Sequence, residues 1–112
     1  MNKIFPIEGD ISSEKLGLSA DNRALLIEEV NIIINLAASI DFNEPIRVAI
    51  NTNYFGCLRV LELATSCKHL QVLTHVSTCY VNCDKIGFIK EDIYDINGDS
   101  EEIIRNILAM SP

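Results

Sequence analysis

Two stretches decide the fold: Asn31-Ile32-Ile33-Ile34-Asn35-Leu36-Ala37-Ala38 and Leu73-Thr74-His75-Val76-Ser77-Thr78-Cys79-Tyr80-Val81-Asn82. Each is an apolar run that ends in small or polar residues. A run of β-branched residues with little alternation suits a strand covered on both faces, as in a parallel sheet with helices on either side. In open sheets of that kind ligands bind at the carboxyl ends of the strands. Ala37, Ala38, Ser77 and Thr78 therefore stand where a ligand would sit.

The segments around these runs alternate in type. Residues 3–10 read as a short strand ending in Gly9-Asp10, with Pro6 marking an edge because proline cannot donate to a ladder. Ser19 is the best N-cap for a helix of about three turns that turns Leu25, Leu26 and Val30 inward. After the strand over residues 31–38 and a loop, Pro45 suits the first turn of a second helix, where its missing N–H is not needed. Apolar residues then recur at three- and four-residue spacing from Ile46 to about Ser66, giving a long helix with one apolar face. Asn53 and Gly56 interrupt it, and both are poor helix formers, so something other than helix stability keeps them there. A second central strand spans residues 70–81. Residues 82–99 form a long excursion with a short extended piece at 93–96, and a last helix runs from Glu101 to Met110 with acids at its positive end.

The order β-α-β-α-β-loop-α argues for one α/β domain with a parallel sheet and two right-handed crossovers. Length and composition agree. The chain has 112 residues, 48% of them hydrophobic and 22% charged, which is a globular balance with room for one domain. Sixteen acids against nine bases give a net charge of −7 with no dense basic cluster. Nucleic acid is therefore excluded as an expected partner, since binding it rests on a basic face. No apolar run approaches the roughly 18 to 20 residues of a membrane helix, and Glu8 and Asp10 interrupt the start before a signal-peptide core could form. Cys57, Cys67, Cys79 and Cys83 lack paired CxxC spacing, so no zinc site is expected and the thiols read as reduced. Cys79 has no evident partner base that would make it a nucleophile. His75 reads as a hydrogen-bonded core histidine.

Four pieces in sequence carry a resemblance. They are residues 6–11 (Pro-Ile-Glu-Gly-Asp-Ile), residues 33–45 (Ile-Ile-Asn-Leu-Ala-Ala-Ser-Ile-Asp-Phe-Asn-Glu-Pro), residues 53–64 (Asn-Tyr-Phe-Gly-Cys-Leu-Arg-Val-Leu-Glu-Leu-Ala) and residues 75–82 (His-Val-Ser-Thr-Cys-Tyr-Val-Asn). In this order and spacing they resemble the middle of an extended short-chain dehydrogenase/reductase, and most closely the NAD(P)-binding domain of the alcohol-forming fatty acyl-CoA reductases, the male-sterility family.

The resemblance implies a fold class and a set of site residues. The fold is α/β, a partial Rossmann-like doubly wound parallel sheet lacking its first two strands and its Gly-rich turn. Asp10 and Ile11 stand beside the adenine of NADPH, with the acid accepting from the adenine amino group. Leu36, Ala37 and Ala38 line the adenine-ribose and pyrophosphate side, and Ser77 lies on the cofactor side at the end of the next strand. Thr78 matches the catalytic Ser/Thr that donates to the substrate carbonyl. Strand alternation turns Ser77 and Thr78 to opposite sides, and the resemblance picks Thr78 for the reacting carbonyl. Asn53 matches a helix asparagine that holds a water and positions the catalytic lysine in relatives.

Two parts of such an enzyme are missing from the sequence. No G-x-x-G-x-x-G occurs, and no tyrosine has a lysine four residues on. In the Rossmann strand order the strand ending at Asp10 would have no neighbour, and an unpaired central edge invites aggregation. The expectation is therefore an internal piece of a reductase, residues 1–112, incomplete at both ends and without catalysis by itself. The parent reaction implied is NADPH-dependent reduction of a fatty acyl-CoA to a primary alcohol, with coenzyme A released. The alternatives are another extended reductase, such as a nucleotide-sugar epimerase or dehydratase, and a non-catalytic piece that binds a complementing chain. Relatives often act at peroxisomal, endoplasmic-reticulum or plastid membranes, and the location of this chain stays open.

Overall fold

The structure, a computed structural model, describes residues 3–78 and 80–110. It divides into two units, Met1–Val76 and Ser77–Pro112.

The first unit holds helix α1 (Ala20–Glu29), strand β1 (Ile32–Asn35), helix α2 (Ile46–Ala49), a π-helical segment (Ile50–Phe55), helix α3 (Gly56–Ser66) and strand β2 (Val72–His75). β1 and β2 pair in parallel, Ile32 opposite Val72 through Asn35 opposite His75. The two strands are joined by one crossover that carries α2, the π segment and α3. The α/β class and the parallel pairing of the two central runs follow the pattern of the sequence.

Local chemistry explains most of the boundaries. Ser19 caps α1, its Oγ accepting from Asn22 N at 3.2 Å. Pro45 precedes α2 and its carbonyl accepts from Val48 and Ala49. The long second helix does run from Ile46 to Ser66, but its Asn-rich middle opens into the π turn. Asn31 joins β1 to the approach of β2: its Nδ2 donates to His69 O at 3.0 Å and its carbonyl accepts from Gln71 N at 2.7 Å. Arg23 of α1 pairs with Glu62 of α3 at 3.0 Å.

Several expectations are corrected. Residues 3–10 form no strand, because no neighbouring backbone supplies the ladder they would need. With that strand goes the second crossover. β1 and β2 are shorter than residues 31–38 and 70–81, and Ser77 and Thr78 lie beyond β2, so strand alternation does not separate their side chains. Nor is the sheet covered on both faces. Ile33, Leu73 and Asn35 turn to one face and are half-buried or buried, with α3 packed against β1. On the other face Ile32 and Ile34 are each 60% exposed and Val72 is 48% exposed. The buried apolar side chains among the described residues are Ile50, Leu63 and Ala64. Leu25 of α1 faces outward, while Leu26 and Val30 are half-buried.

The second unit contains successive turns over residues 80–84 and helix α4 (Ser100–Ala109). Asp99 caps α4, its Oδ1 accepting from Glu101 N at 2.8 Å and Glu102 N at 3.2 Å. Ile104, Ile107 and Leu108 are its half-buried positions. Residues 93–96 form no strand.

Candidate functional site

The loop from Gly9 to Leu18 is the most elaborately tied part of the first unit. The Asp10 carboxylate accepts from Ser12 N at 2.9 Å, Ser12 Oγ at 2.7 Å and Ser13 Oγ at 2.8 Å. Its backbone N–H donates to Leu16 O at 2.7 Å, closing a tight left-handed turn in which Lys15, Leu16 and Gly17 all have positive φ, at 52°, 63° and 59°. Two successive non-glycine residues in that region store strain, which persists only where surrounding contacts hold it. Gly17 is needed there for a second reason: a Cβ would stand 3.1 Å from Asp10 N.

These hydrogen bonds, those from Ser12 first, hold the Asp10 carboxyl below its ordinary value of 3.8. A group whose folded pKa is depressed contributes stability above its unfolded value and loses it as the pH falls through the folded one. Acidification from about pH 5 to about pH 2 is therefore expected to lower the urea midpoint more in the native chain than in Asp10→Asn. Equal losses in the two proteins would show that Asp10 does not tie the loop.

The helix opposite holds the same loop from above. Arg59 Nη1 donates to Ile11 O and to Asn51 O, both at 3.0 Å, and its Nη2 donates to Asn51 Oδ1 at 2.8 Å. Asn51 Nδ2 in turn donates to Ser12 O at 3.0 Å. Gly56, buried at the start of α3, lets Ile11 pack onto the helix backbone: a Cβ would lie 2.7 Å from Ile11 Cγ1. That contact is the reason for a glycine within a long helix. The π turn beside it places Asn51 and Asn53, in keeping with the tendency of π segments to occur at functional sites.

The turn after β1 is held by two asparagines. Asn35, 6% exposed, accepts from Ala37 N at 3.2 Å through Oδ1. Asn53 Oδ1 accepts from Ser39 N at 2.8 Å, so this exposed side chain also ties the loop. Leu36, Ala37 and Ala38 are exposed between these two anchors. An open cavity of about 320 Å³ is lined by Asp10, Ile11, Asn35 and Ala37 together with apolar side chains that include Leu26 and Leu63.

Of the residues singled out in the sequence, Asp10, Ile11, Leu36, Ala37, Ala38 and Asn53 lie in the first unit, whereas Ser77 and Thr78 lie in the second, both exposed. Thr78 Oγ1 accepts from Tyr80 N at 3.2 Å. Cys79 lies outside the described residues. His75 is exposed rather than in the core, and it bonds to Asn35. Burial pushes the Cys67 thiol up from its ordinary value, and its Sγ donates to Leu63 O at 3.3 Å. Among the described residues no group of three or more His, Cys, Asp or Glu could hold a metal ion. No helix among them is long and apolar enough to cross a membrane.

Asn35, Asn51 and Arg59 were not singled out in the sequence. Each had a signal: a polar residue ending an apolar strand, and an Asn and an Arg eight residues apart on a helix that otherwise buries aliphatic side chains.

A nicotinamide dinucleotide fits part of this arrangement. Three donors already occupy Asp10, and a carboxylate has about four acceptor positions, so one remains for an adenine amino group on an exposed residue. Small side chains at Ala37 and Ala38 allow close approach to backbone. The pyrophosphate cradle is absent from the sequence.

Comparison with known proteins agrees with this partial fit. Residues 1–110 match the NAD-binding family described as male sterility protein. The chain is similar to fatty acyl-CoA reductase wat of Drosophila melanogaster, 39% identical over 82% of this chain and 18% of that protein. It is 38% identical to fatty acyl-CoA reductase 8 of Arabidopsis thaliana over 86% of this chain and 21% of that one. With fatty acyl-CoA reductase 1 of Pongo abelii the identity is 34% over 94% and 20%. The chain thus spans about a fifth of the length of the curated relatives it matches. A family match over residues 1–110, nearly the whole chain, places it among the male sterility proteins, the NAD-binding family to which it belongs.

Proposed function

We propose that the chain forms the central part of the dinucleotide-binding domain of a fatty acyl-CoA reductase. The reaction takes a long-chain acyl-CoA and two NADPH, with two protons, through an aldehyde to a primary alcohol, free coenzyme A and two NADP⁺. The observation that carries this reading is the pair of ordered loops, Asp10–Ser13 and Leu36–Ser39, each tied to the helix that contains Asn51, Asn53 and Arg59. When bound, the dinucleotide supplies the hydride.

The residues of the chain then divide the remaining work. Asp10 and Ile11 hold the adenine end, and Leu36, Ala37 and Ala38 leave room for the ribose and phosphates. Thr78 donates its hydroxyl proton in a hydrogen bond to the thioester carbonyl and stabilises charge as it develops on that oxygen. Asn53 orders the loop after β1. Ser77 completes the cofactor side.

The bare face of the sheet supports a second element of the reading. A parallel sheet is stable when both faces are covered, so Ile32, Ile34 and Val72 favour a chain that works only when further elements, from a longer polypeptide or a complementing chain, close over it.

The test is a chimera in which residues 1–110 replace the matched segment of the Pongo abelii relative, with fatty alcohol measured after addition of palmitoyl-CoA and NADPH. Alcohol formation is expected, and Thr78→Ala in the chimera should lower kcat by about 10²- to 10³-fold, the loss typical of removing one oxyanion donor. A folded chimera that binds NADPH but makes neither aldehyde nor alcohol would overturn the reading, and an unchanged kcat in Thr78→Ala would overturn the role of Thr78.

A further inference from the structure

The carboxyl ends of β1 and β2 meet through side chains as well as backbone. Asn35 O accepts from Val76 N at 3.0 Å. Its side chain reaches in two directions, Oδ1 to Ala37 N at 3.2 Å and Nδ2 to His75 Nδ1 at 3.2 Å. The Cys57 Sγ lies 3.9 Å from the same ring nitrogen. Asn35 is the one buried polar residue among those described, so its amide has little water to turn to.

Donor and acceptor identities leave a single consistent arrangement. A backbone N–H only donates, so the amide atom facing Ala37 must be the oxygen. The nitrogen then faces His75, and an amide nitrogen only donates. His75 Nδ1 must accept, which puts the ring proton on Nε2, because the tautomer of a histidine is set by the bond its other nitrogen makes. The ring has no second lone pair. Its one acceptor is used by Asn35, so Nδ1 is not available to take the proton of the Cys57 thiol or of a substrate.

We infer that Asn35 is a positioning residue that holds His75 in the tautomer whose Nε2–H donates and, by occupying Nδ1, denies it the part of a general base. The same amide fixes the Ala37 turn, so the dinucleotide-side loop and the His75 ring are set by one side chain. A role for the Nε2–H toward an acceptor oxygen of a bound ligand rests on the reductase reading above. The tautomer does not.

Ring-nitrogen NMR on the ¹⁵N-labelled chain tests this directly, with His69→Gln identifying the signals of the other histidine. At a pH where imidazole is neutral, His75 is expected to show an unprotonated Nδ1 and a protonated Nε2. Asn35→Asp keeps the size and the acceptor for Ala37 N but has no N–H to give. It should move the proton to Nδ1, where it donates to the new carboxylate, whereas Asn35→Ala should leave the two tautomers mixed. A protonated Nδ1 or a mixture in the native chain would overturn the inference, and so would Asn35→Asp with the native pattern. If a variant fails to fold, the native spectrum alone decides. None of these readouts depends on NADPH, so a failed chimera and a wrong tautomer remain separate results.

Discussion

Replacing Gly56 by leucine is expected to abolish the folded state of the first unit, with a loss of about 3 kcal/mol or more. At this position a Cβ alone would come within 2.7 Å of Ile11 Cγ1, 3.1 Å of Ile11 Cδ1 and 3.3 Å of Ile11 O. The nearest atom belongs to the stem of the side chain rather than its far end, and the carbonyl behind it is held by Arg59. The loop therefore has no cheap way to move aside. Alanine gives the graded case. It gains about 1 kcal/mol of helix propensity and meets a steric cost of about 1 to 3 kcal/mol, so Gly56→Ala is expected to destabilise where an ordinary helix glycine would stabilise.

Urea denaturation followed by circular dichroism measures both substitutions. Ile11→Ala then serves as the second arm of a cycle, because it removes the two side-chain contacts and leaves the third. Gly56→Ala should cost less in that background, with a coupling of about 1 to 2 kcal/mol. Additive losses would mean that Gly56 is kept for some reason other than Ile11.

That contact also marks the boundary of what the sequence alone could reveal. Signals that act over a few residues were legible: Ser19 before α1, Pro45 before α2, the acids at the start of α4 and the two β-branched runs that pair in parallel. The unusual composition around Asn53 and Gly56 was legible as an anomaly, but its cause was not. For Gly56 it lies in Ile11, 45 positions earlier, and for Asn53 in the tie to Ser39, and no local periodicity carries such information. Residues 3–10 failed for the opposite reason. Their β-branched and aromatic character is a local preference, and a strand exists only where a neighbour offers its N–H and C=O groups. Ile32 and Ile34 make the same point from the other side: a pattern that asks for two covered faces meets one. In the candidate site, Asp10, Ala37 and Asn53 were reached through their motifs, whereas Arg59 was passed over because a lone arginine on a helix reads as a solvated charge.

Arg59→Met is the second substitution with a large expected effect, a loss of about 3 kcal/mol. Methionine keeps the apolar stem and removes the guanidinium, which here makes three hydrogen bonds, two of them to main-chain carbonyls. Hydrogen bonds from a charged donor contribute about 1.5 to 3 kcal/mol each, and a carbonyl left without its partner costs about 1 to 3 kcal/mol. The individual values do not add, because all three bonds share one side chain and two of them end on Asn51. Lysine should restore only a part, since an ammonium on a flexible stem cannot match a planar fork that reaches Ile11 and Asn51 together.

The loss has a local signature that separates it from general unfolding. The Arg59 guanidinium bonds the Ile11 carbonyl, and the loop it holds contains the strained residues Lys15 and Leu16, which relax once released. Amide exchange in Arg59→Met should therefore accelerate first at Asp10, Ser13 and Leu16, whose N–H groups close the loop, and less at Arg23 and Val30, which bond within and at the end of α1. Asn51→Ala should accelerate the same loop amides, and adding it to Arg59→Met should have little further effect, because the two side chains act on the loop as one clamp. Uniform acceleration across α1 and the loop would mean that Arg59 stabilises the whole unit and holds no particular segment. Unchanged loop exchange would mean that the loop from Gly9 to Leu18 keeps its shape through Asp10, Ser12 and Ser13 alone.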